Sequence, residues 1–374
     1  MSVYLDSAST VPMTPAALAE YLKVAEQFFA NPQGSHRYSR IAMRQLDDYR
    51  ERVAAVLACG AGEVFFTSGA TESNNIAIQG SARAGGLVAA SAVEHKAVLA
   101  PVLARGGLVI SVDVDGQIDQ DRLRRFLKEH AGQLGVVSIM AVNNETGVTF
   151  PVPVFAGMVH KHAPRALFHC DAVQAATVLD LAEFVAPCDM VSLSAHKFGG
   201  PKGTGILIAK DTSKVRPLSL GGSQEKDLRP GTHDLASIAA MTVALEAAQL
   251  NHAGVNSELS VLRDRFEALV GQEVPEATFT GANSPRSPAI SHMLLPGVTS
   301  EEMLFMLDEA GIAASGGAAC ASGALDPSHV VVAMGVEHQL AKGALRFSFA
   351  RSNTPDEIDL TAKALGEIYR RLQR

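Results

Sequence analysis

Cysteine is scarce in this chain of 374 residues, with four in all, at Cys59, Cys170, Cys188 and Cys320. So few, so scattered, exclude a disulfide framework and a zinc site of the CxxC type. Three of them lie in apolar surroundings that suit small buried side chains, whereas Cys320 does not. Basic charge is also in short supply. The 32 Lys and Arg against 39 Asp and Glu leave a net charge of -7, which argues against a general nucleic-acid surface and favours small molecules and proteins as partners. No run of about 18 apolar residues appears, and the opening MSVYLDSAST lacks a basic stretch followed by an apolar one. No membrane partner is therefore expected, and the expected compartment is the cytoplasm. Low-complexity tracts and short repeats are missing too, and His36, His95, His169 and His196 show no ligand-like spacing such as HExxH, so no metal site is expected.

What is present is a long alternation of apolar runs and helical patterns. Buried strands are predicted at Val64–Thr67, Leu87–Ala90, Leu108–Ser111, Val136–Val142, Ala166–Cys170, Met190–Ser194 and Gly205–Ala209. Helices are predicted at Pro15–Phe29, Arg40–Leu57, Asp119–Glu129 and Leu235–Asn251. Strands recurring with helices between them make an α/β layer with a mostly parallel sheet. After Asn251 the pattern changes to Leu259–Val270 (helix), Ala289–Leu295 (strand), Ser300–Glu309 (helix), Ala344–Ala350 (strand) and Pro355–Leu372 (helix), a smaller second domain. Between Ser315 and Pro327, SGGAACASGALDP has three glycines and no large side chain before Leu325, which reads as a mobile loop carrying Cys320.

Three strand ends carry chemistry. Lys197, in SAHKFGGPKG, comes directly off an apolar strand between His196 and a glycine pair; a lysine there can form a Schiff base, although most lysines are solvated surface charges. In FFTSGATESNN a strand gives way through Gly69 to a helix start whose free N–H groups suit a phosphate; ordinary capping by Ser68 or Thr71 explains the same pattern. In FHCDAVQ, Asp171 closes a third strand. A buried carboxylate needs a cation, and a protonated pyridine nitrogen is one, while a helix cap or an Arg partner would also do. His95, in VEHK, is compatible with a structural role or a functional one.

Taken in order, YLDSAST, NPQGSH, FTSGATESNN, VEHKAVL, VNNETG, DAVQ, SAHKFGGPKG, GGSQEKDLRPGT, SGGAACASG, SHVVVAMG and LRFSFAR resemble the cysteine desulfurases. These are the NifS-like branch of the class V aminotransferase superfamily, and the resemblance covers nearly the whole chain. It implies the pyridoxal-phosphate-dependent fold type I: a large domain at 12–250 with a mostly parallel seven-stranded sheet, and a smaller α+β domain formed by 1–11 and 251–374. It implies pyridoxal 5'-phosphate as cofactor, with Lys197 as the Schiff-base lysine, Asp171 on the pyridinium nitrogen and His95 stacked on the ring. Asn144 and Gln174 would stand near the phenolic oxygen, and Ala70, Thr71, Ser194 and His196 around the phosphate. Thr232 would reach the phosphate of a neighbouring subunit, which implies a homodimer.

The resemblance further implies L-cysteine as substrate, with Arg346 clamping its carboxylate and Asn144 adjoining it, and Cys320 taking the sulfur as a persulfide while alanine leaves. His95 would serve as acid and base, a task Lys197 could share. The persulfide would then pass to a sulfur acceptor such as an iron–sulfur scaffold protein. Ser7, Ser9, Gln33, Gly34, Ala195, Pro230 and Ala318 depart from the commonest family pattern, and the chain stops soon after its last helix, which puts docking of that scaffold in doubt. Two other readings stand beside this one: another class V reaction, such as selenocysteine lysis or aminotransfer, in which Cys320 is dispensable, or a catalytically silent scaffold.

Overall fold

The computed structural model describes residues 2–81, 85–316 and 327–374. Its strands are β1 Val3–Tyr4, β2 Val64–Thr67, β3 Leu87–Ser91, β4 Leu108–Ile110, β5 Leu134–Ser138, β6 Leu167–Asp171, β7 Met190–Ser194, β8 Gly205–Ala209, β9 Thr278–Phe279, β10 Ile290–Leu294, β11 Ile312–Ala313 and β12 Ala344–Ser348. Seven of them form one sheet in the order β2-β8-β7-β6-β5-β3-β4. Only β8 runs against its neighbours, β2 and β7. The other pairings are parallel.

Both faces of this sheet are covered, which is why its strands read as unbroken apolar runs rather than alternating ones. Successive side chains still point to opposite faces. Val191 and Leu193 of β7 and Ile206 and Ile208 of β8 join one core, with the long helices Pro15–Gln27, Arg37–Val56 and Leu235–Leu250. Met190, Leu207 and Ala209 join a second core on the other face, with Val98 and Val102 of the helix Lys96–Ala104. A third core, centred on Phe266, Phe347 and Phe349, gathers Val3 and Leu5 from the N-terminus with residues 259–369. There β10 pairs antiparallel with β9 and β12, and β1 pairs with β11.

The seven predicted strands of the large sheet are all present. The predicted run 136–142 is displaced: β5 begins at Leu134 and ends at Ser138, beyond which Ile139 and Ala141 still donate to the carbonyls of His169 and Asp171 on β6 and Val142 bridges Thr149. Cys170 and Cys188 are buried, as expected of small apolar side chains, while Cys59 is half-buried and burial pushes its thiol up to about 11. The Ser315–Pro327 loop assignment falls mostly on 317–326, outside the described residues, as does Cys320. No helix of the described residues is long and apolar enough to cross a membrane.

Beneath the sheet's carboxyl edge, His169 on β6 ties three strands together. Its ring nitrogens bond the hydroxyls of Ser138 on β5 at 2.8 Å and Ser192 on β7 at 2.9 Å. Burial alone holds its pKa down to about 3. In the unfolded chain the same imidazole takes a proton near pH 6.5. Between those values the unfolded state binds more protons, so His169's contribution to stability is lost as pH falls through that window. The stability advantage of wild type over a His169→Asn variant is therefore expected to shrink by about 1.4 kcal/mol per pH unit below about pH 6.5. Urea melts of the two proteins between pH 7 and 5 measure it; a gap that does not change with pH would contradict this account.

Candidate active site

Open α/β sheets hold ligands beyond the carboxyl ends of their strands. Here a cavity of about 600 Å³ opens at that edge. The turn after β2 places Ser68, Gly69, Ala70 and Thr71 on its wall, the segment after β3 adds His95, and that after β5 adds Asn144. Asp171 and Gln174 enter from the end of β6, and Ser194, His196 and Lys197 from the end of β7. Arg346 reaches it from the small sheet. Ten of the twelve residues singled out from sequence thus line one cavity. Close packing sets the turn: a Cβ on Gly205, the first residue of β8, would lie 2.6 Å from the Cα of Gly69. Gly69 itself has φ +140°, a conformation that favours glycine.

The charges are arranged unevenly. Asp171 is 4% exposed. It accepts from the Asn74 side-chain amide at 2.7 Å and the Val173 backbone N–H at 3.0 Å, both neutral donors. Among the described residues no basic side chain forms an ion pair with it. Glu94, fully buried nearby, is pushed up to about 8, first by burial and further by the charge of Asp171. Glu94 therefore favours its neutral form at pH 7. The Lys197 ammonium donates to the carbonyls of Ala8 and Ser9, each at 2.7 Å. His196 touches the Thr10 hydroxyl at 3.2 Å, and burial and then Lys197 hold it down to about 4.

His95 caps the helix Lys96–Ala104, its Nδ1 accepting from the Ala97 N–H at 3.1 Å. Burial lowers its pKa, against the pull of Asp171 and with the push of Lys197. With Nδ1 committed as an acceptor, the neutral ring carries its proton on Nε2, where it can be donated. Gln174 uses its amide to hold the Ala8 carbonyl at 2.8 Å. The side-chain oxygens of Asn144 and Asn74 are buried without a partner among the described residues.

Arg346 lies in the middle of β12 and is 2% exposed. Thr232 is exposed and does not line the cavity of its own chain. Its segment is nevertheless firmly held. Glu225, Lys226 and Asp227 are three successive non-glycine residues with positive φ, at 49°, 54° and 64°. Holding them so costs of order 1–3 kcal/mol each. The Glu225 carboxylate anchors the stretch through Arg50 at 2.6 and 2.8 Å, His233 at 2.6 Å and the Phe66 N–H of β2 at 2.9 Å. Burial works against its ionisation, but the bonds from His233 and Arg50 outweigh it and hold the pKa down to about 2.

The sequence reading assigned no role to the N-terminal strap, yet Ala8, Ser9 and Thr10 form a wall of the cavity. It also missed Glu145 and His329. Glu145 is 3% exposed, accepts from the Ser328 hydroxyl, and is pushed upward in pKa by burial. His329 bonds the Glu94 carbonyl at 2.9 Å. The only available signal was that YLDSAST, VNNETG and SHVVVAMG belong to the ordered set of family motifs.

Comparison with known proteins agrees with this geometry. Residues 3–361 match the family described as Aminotransferase class-V. A cysteine desulfurase of Cereibacter sphaeroides is 38% identical over 381 residues, covering 99% of this chain and 96% of its own. One from Enterobacter agglomerans is 36% identical over 381 residues, covering 100% of this chain and 94% of its own. A solved NifS-like protein superposes with a TM-score of 0.89 at 30% identity, covering 98% of this chain and 99% of its own. With its sheet, its strand-end lysine and acid, and these full-length similarities, the chain belongs to the class-V aminotransferase family, in the branch of the NifS-like cysteine desulfurases.

Proposed function

We propose that this protein is a pyridoxal-phosphate-dependent cysteine desulfurase, which converts L-cysteine to L-alanine and leaves the sulfur as a persulfide on Cys320. The observation that carries this reading is the pairing, in one cavity, of a strand-end lysine with a buried acid whose hydrogen bonds from the described residues come from neutral donors. A buried carboxylate calls for a cation, and a protonated pyridine nitrogen meets that need at Asp171. The unpartnered oxygens of Asn144 and Asn74 add polar groups still to be satisfied, so the residues fit the cofactor. Lys197 would be its covalent attachment point, His95 would lie against its ring, Asn144 and Gln174 near its phenolic oxygen, and Ala70, Thr71, Ser194 and His196 around its phosphate. When bound, pyridoxal phosphate supplies an electron sink for negative charge developing at the substrate's α-carbon.

The rest falls to the chain. Arg346 binds the substrate carboxylate, with Asn144 beside it. Lys197, as a free amine, would take the α-proton of the substrate and return it to the same carbon as alanine forms. His95, with Nδ1 held by the Ala97 N–H, presents Nε2–H as a hydrogen-bond donor toward the substrate. The Cys320 thiolate attacks the substrate sulfur: an S–S bond forms, the carbon–sulfur bond breaks, and its electron pair with one proton completes the methyl group of alanine. Burial raises the pKa values of the Glu94 and Glu145 carboxyls, which disfavours further negative charge beside the site.

Thr232, exposed on an anchored segment, would complete the phosphate site of a second copy, making the working form a homodimer. The division into 12–250 and 1–11 with 251–374 accords with the separate core around Phe266, to which Val3 and Leu5 contribute. Transfer from Cys320 to a scaffold for iron–sulfur clusters or another acceptor protein would follow. The purified holoprotein given L-cysteine and a thiol reductant is expected to release alanine and sulfide in equal amounts. Pyruvate or keto-acid formation without sulfide would overturn the reading.

A further inference from the structure

A guanidinium offers a carboxylate two edges for paired hydrogen bonds: the end edge, made by Nη1 and Nη2, and the side edge, made by Nε and Nη2. Both need Nη2. In Arg346, Nη2 donates to Asp6 Oδ1 at 2.7 Å and to Ser9 Oγ at 3.0 Å, which uses both of its hydrogens. Nη1 donates to the Asn144 carbonyl at 2.7 Å, and Nε is buried without a partner among the described residues. Neither edge can take a second carboxylate in paired fashion unless something yields at Nη2. Asp6 approaches from behind the cavity wall, whereas Arg346 and Ser9 line it. The other acid beside the guanidinium, Glu145, is raised in pKa by burial, and His292 on β10 is held neutral by burial, down to about 3. Asp6 is thus the anion that balances Arg346, across an ion pair of 2.7 Å.

We infer that Asp6 is a specificity-determining residue: its carboxylate is the resident anion of the substrate-carboxylate site, and the carboxylate of L-cysteine binds by taking over hydrogen bonds of Nη2 from Asp6 and Ser9. The inference rests on Arg346 as the clamp of the proposed function. Its consequence is a built-in competition. The arginine stays oriented and charge-balanced, and the substrate's gain is the difference between two carboxylates rather than the full worth of one.

The test uses the pyridoxal-phosphate-loaded full chain. Asp6→Asn keeps an oxygen acceptor of the same shape and removes the charge, so the L-cysteine concentration giving half-maximal rate is expected to fall about tenfold. Cysteamine, which is L-cysteine without its carboxylate, is expected to inhibit wild type and variant at the same concentration. A half-saturation value that is unchanged or higher in Asp6→Asn, or a gain shared by cysteamine, overturns the inference. Ser9→Ala leaves the ion pair intact and frees one Nη2 hydrogen; it is expected to lower half-saturation about twofold, at the low end of what one hydrogen bond contributes. If Asp6→Asn does not fold, an unchanged or higher value in Ser9→Ala overturns the inference on its own. Arg346→Gln separates the two layers. It should raise half-saturation for L-cysteine by more than about tenfold, the worth of a charged hydrogen bond; if it does not, Arg346 is not the clamp and the proposal falls with that assignment.

Discussion

Replacing Lys197 by alanine is expected to lower alanine formation from L-cysteine by at least about a thousandfold, the scale on which an activated nucleophile or base is missed. The same variant should lose pyridoxal phosphate on dialysis where wild type keeps it, because the covalent attachment is gone. Two consequences follow from the local geometry. The carbonyls of Ala8 and Ser9 each lose an ammonium donor at 2.7 Å, so the N-terminal strap loosens as well. Arg346 bonds that same strap through Asp6 and Ser9, so a looser strap is expected to leave Nη2 freer for the substrate carboxylate. Absorbance of the bound cofactor and a rate assay on the variant check both; retention of cofactor with a rate within tenfold of wild type would remove Lys197 from the mechanism.

The second large effect is expected at Cys320, and it should look different. Cys320→Ala is expected to bind pyridoxal phosphate as wild type does and to lose sulfur release by about a hundredfold or more, since no thiolate remains to attack the substrate sulfur. The contrast distinguishes the two residues: one substitution removes the cofactor and the reaction together, the other the reaction alone. If Cys320 were dispensable, as in a selenocysteine lyase or an aminotransferase of this family, turnover would continue in Cys320→Ala. A catalytically silent scaffold would turn over in neither protein.

The large sheet was legible because its strands are covered on both faces and so appear as short apolar runs ending in Asp171, Ser194 or a glycine turn. Other elements left weaker marks. The helix Lys96–Ala104 is a nearly continuous apolar stretch with a proline inside, and periodicity does not separate it from a strand. The run that begins with β5 continues past Ser138 because Ile139 to Val142 are apolar for a different reason: they are buried in the core beside the site, and their backbone bonds go to His169, Asp171 and the 148–150 segment.

In the cofactor half of the site Lys197, Asp171 and the Gly69 turn stood out because each follows an apolar strand, whereas Asn144, Gln174 and the other phosphate-side residues were assigned by the family resemblance. The substrate half left no such local mark, and Arg346 was assigned by the resemblance alone. Arg346 lies within an apolar strand, and its partners Asp6, Ser9 and Asn144 come from segments about 200 to 340 positions away, a proximity only the tertiary fold creates. Glu94 and Glu145 look like ordinary acids in the sequence. Burial is what raises their pKa values, and burial is a property of the packed molecule.

The most direct measurement is a mass determination on the peptide containing Cys320 after the holoenzyme meets L-cysteine without a reductant. The account predicts that this peptide gains the mass of one sulfur atom, that the gain disappears on adding thiol, and that one alanine forms per sulfur bound. Alanine formed with no sulfur on Cys320, or at the wild-type rate by Cys320→Ala, would contradict it.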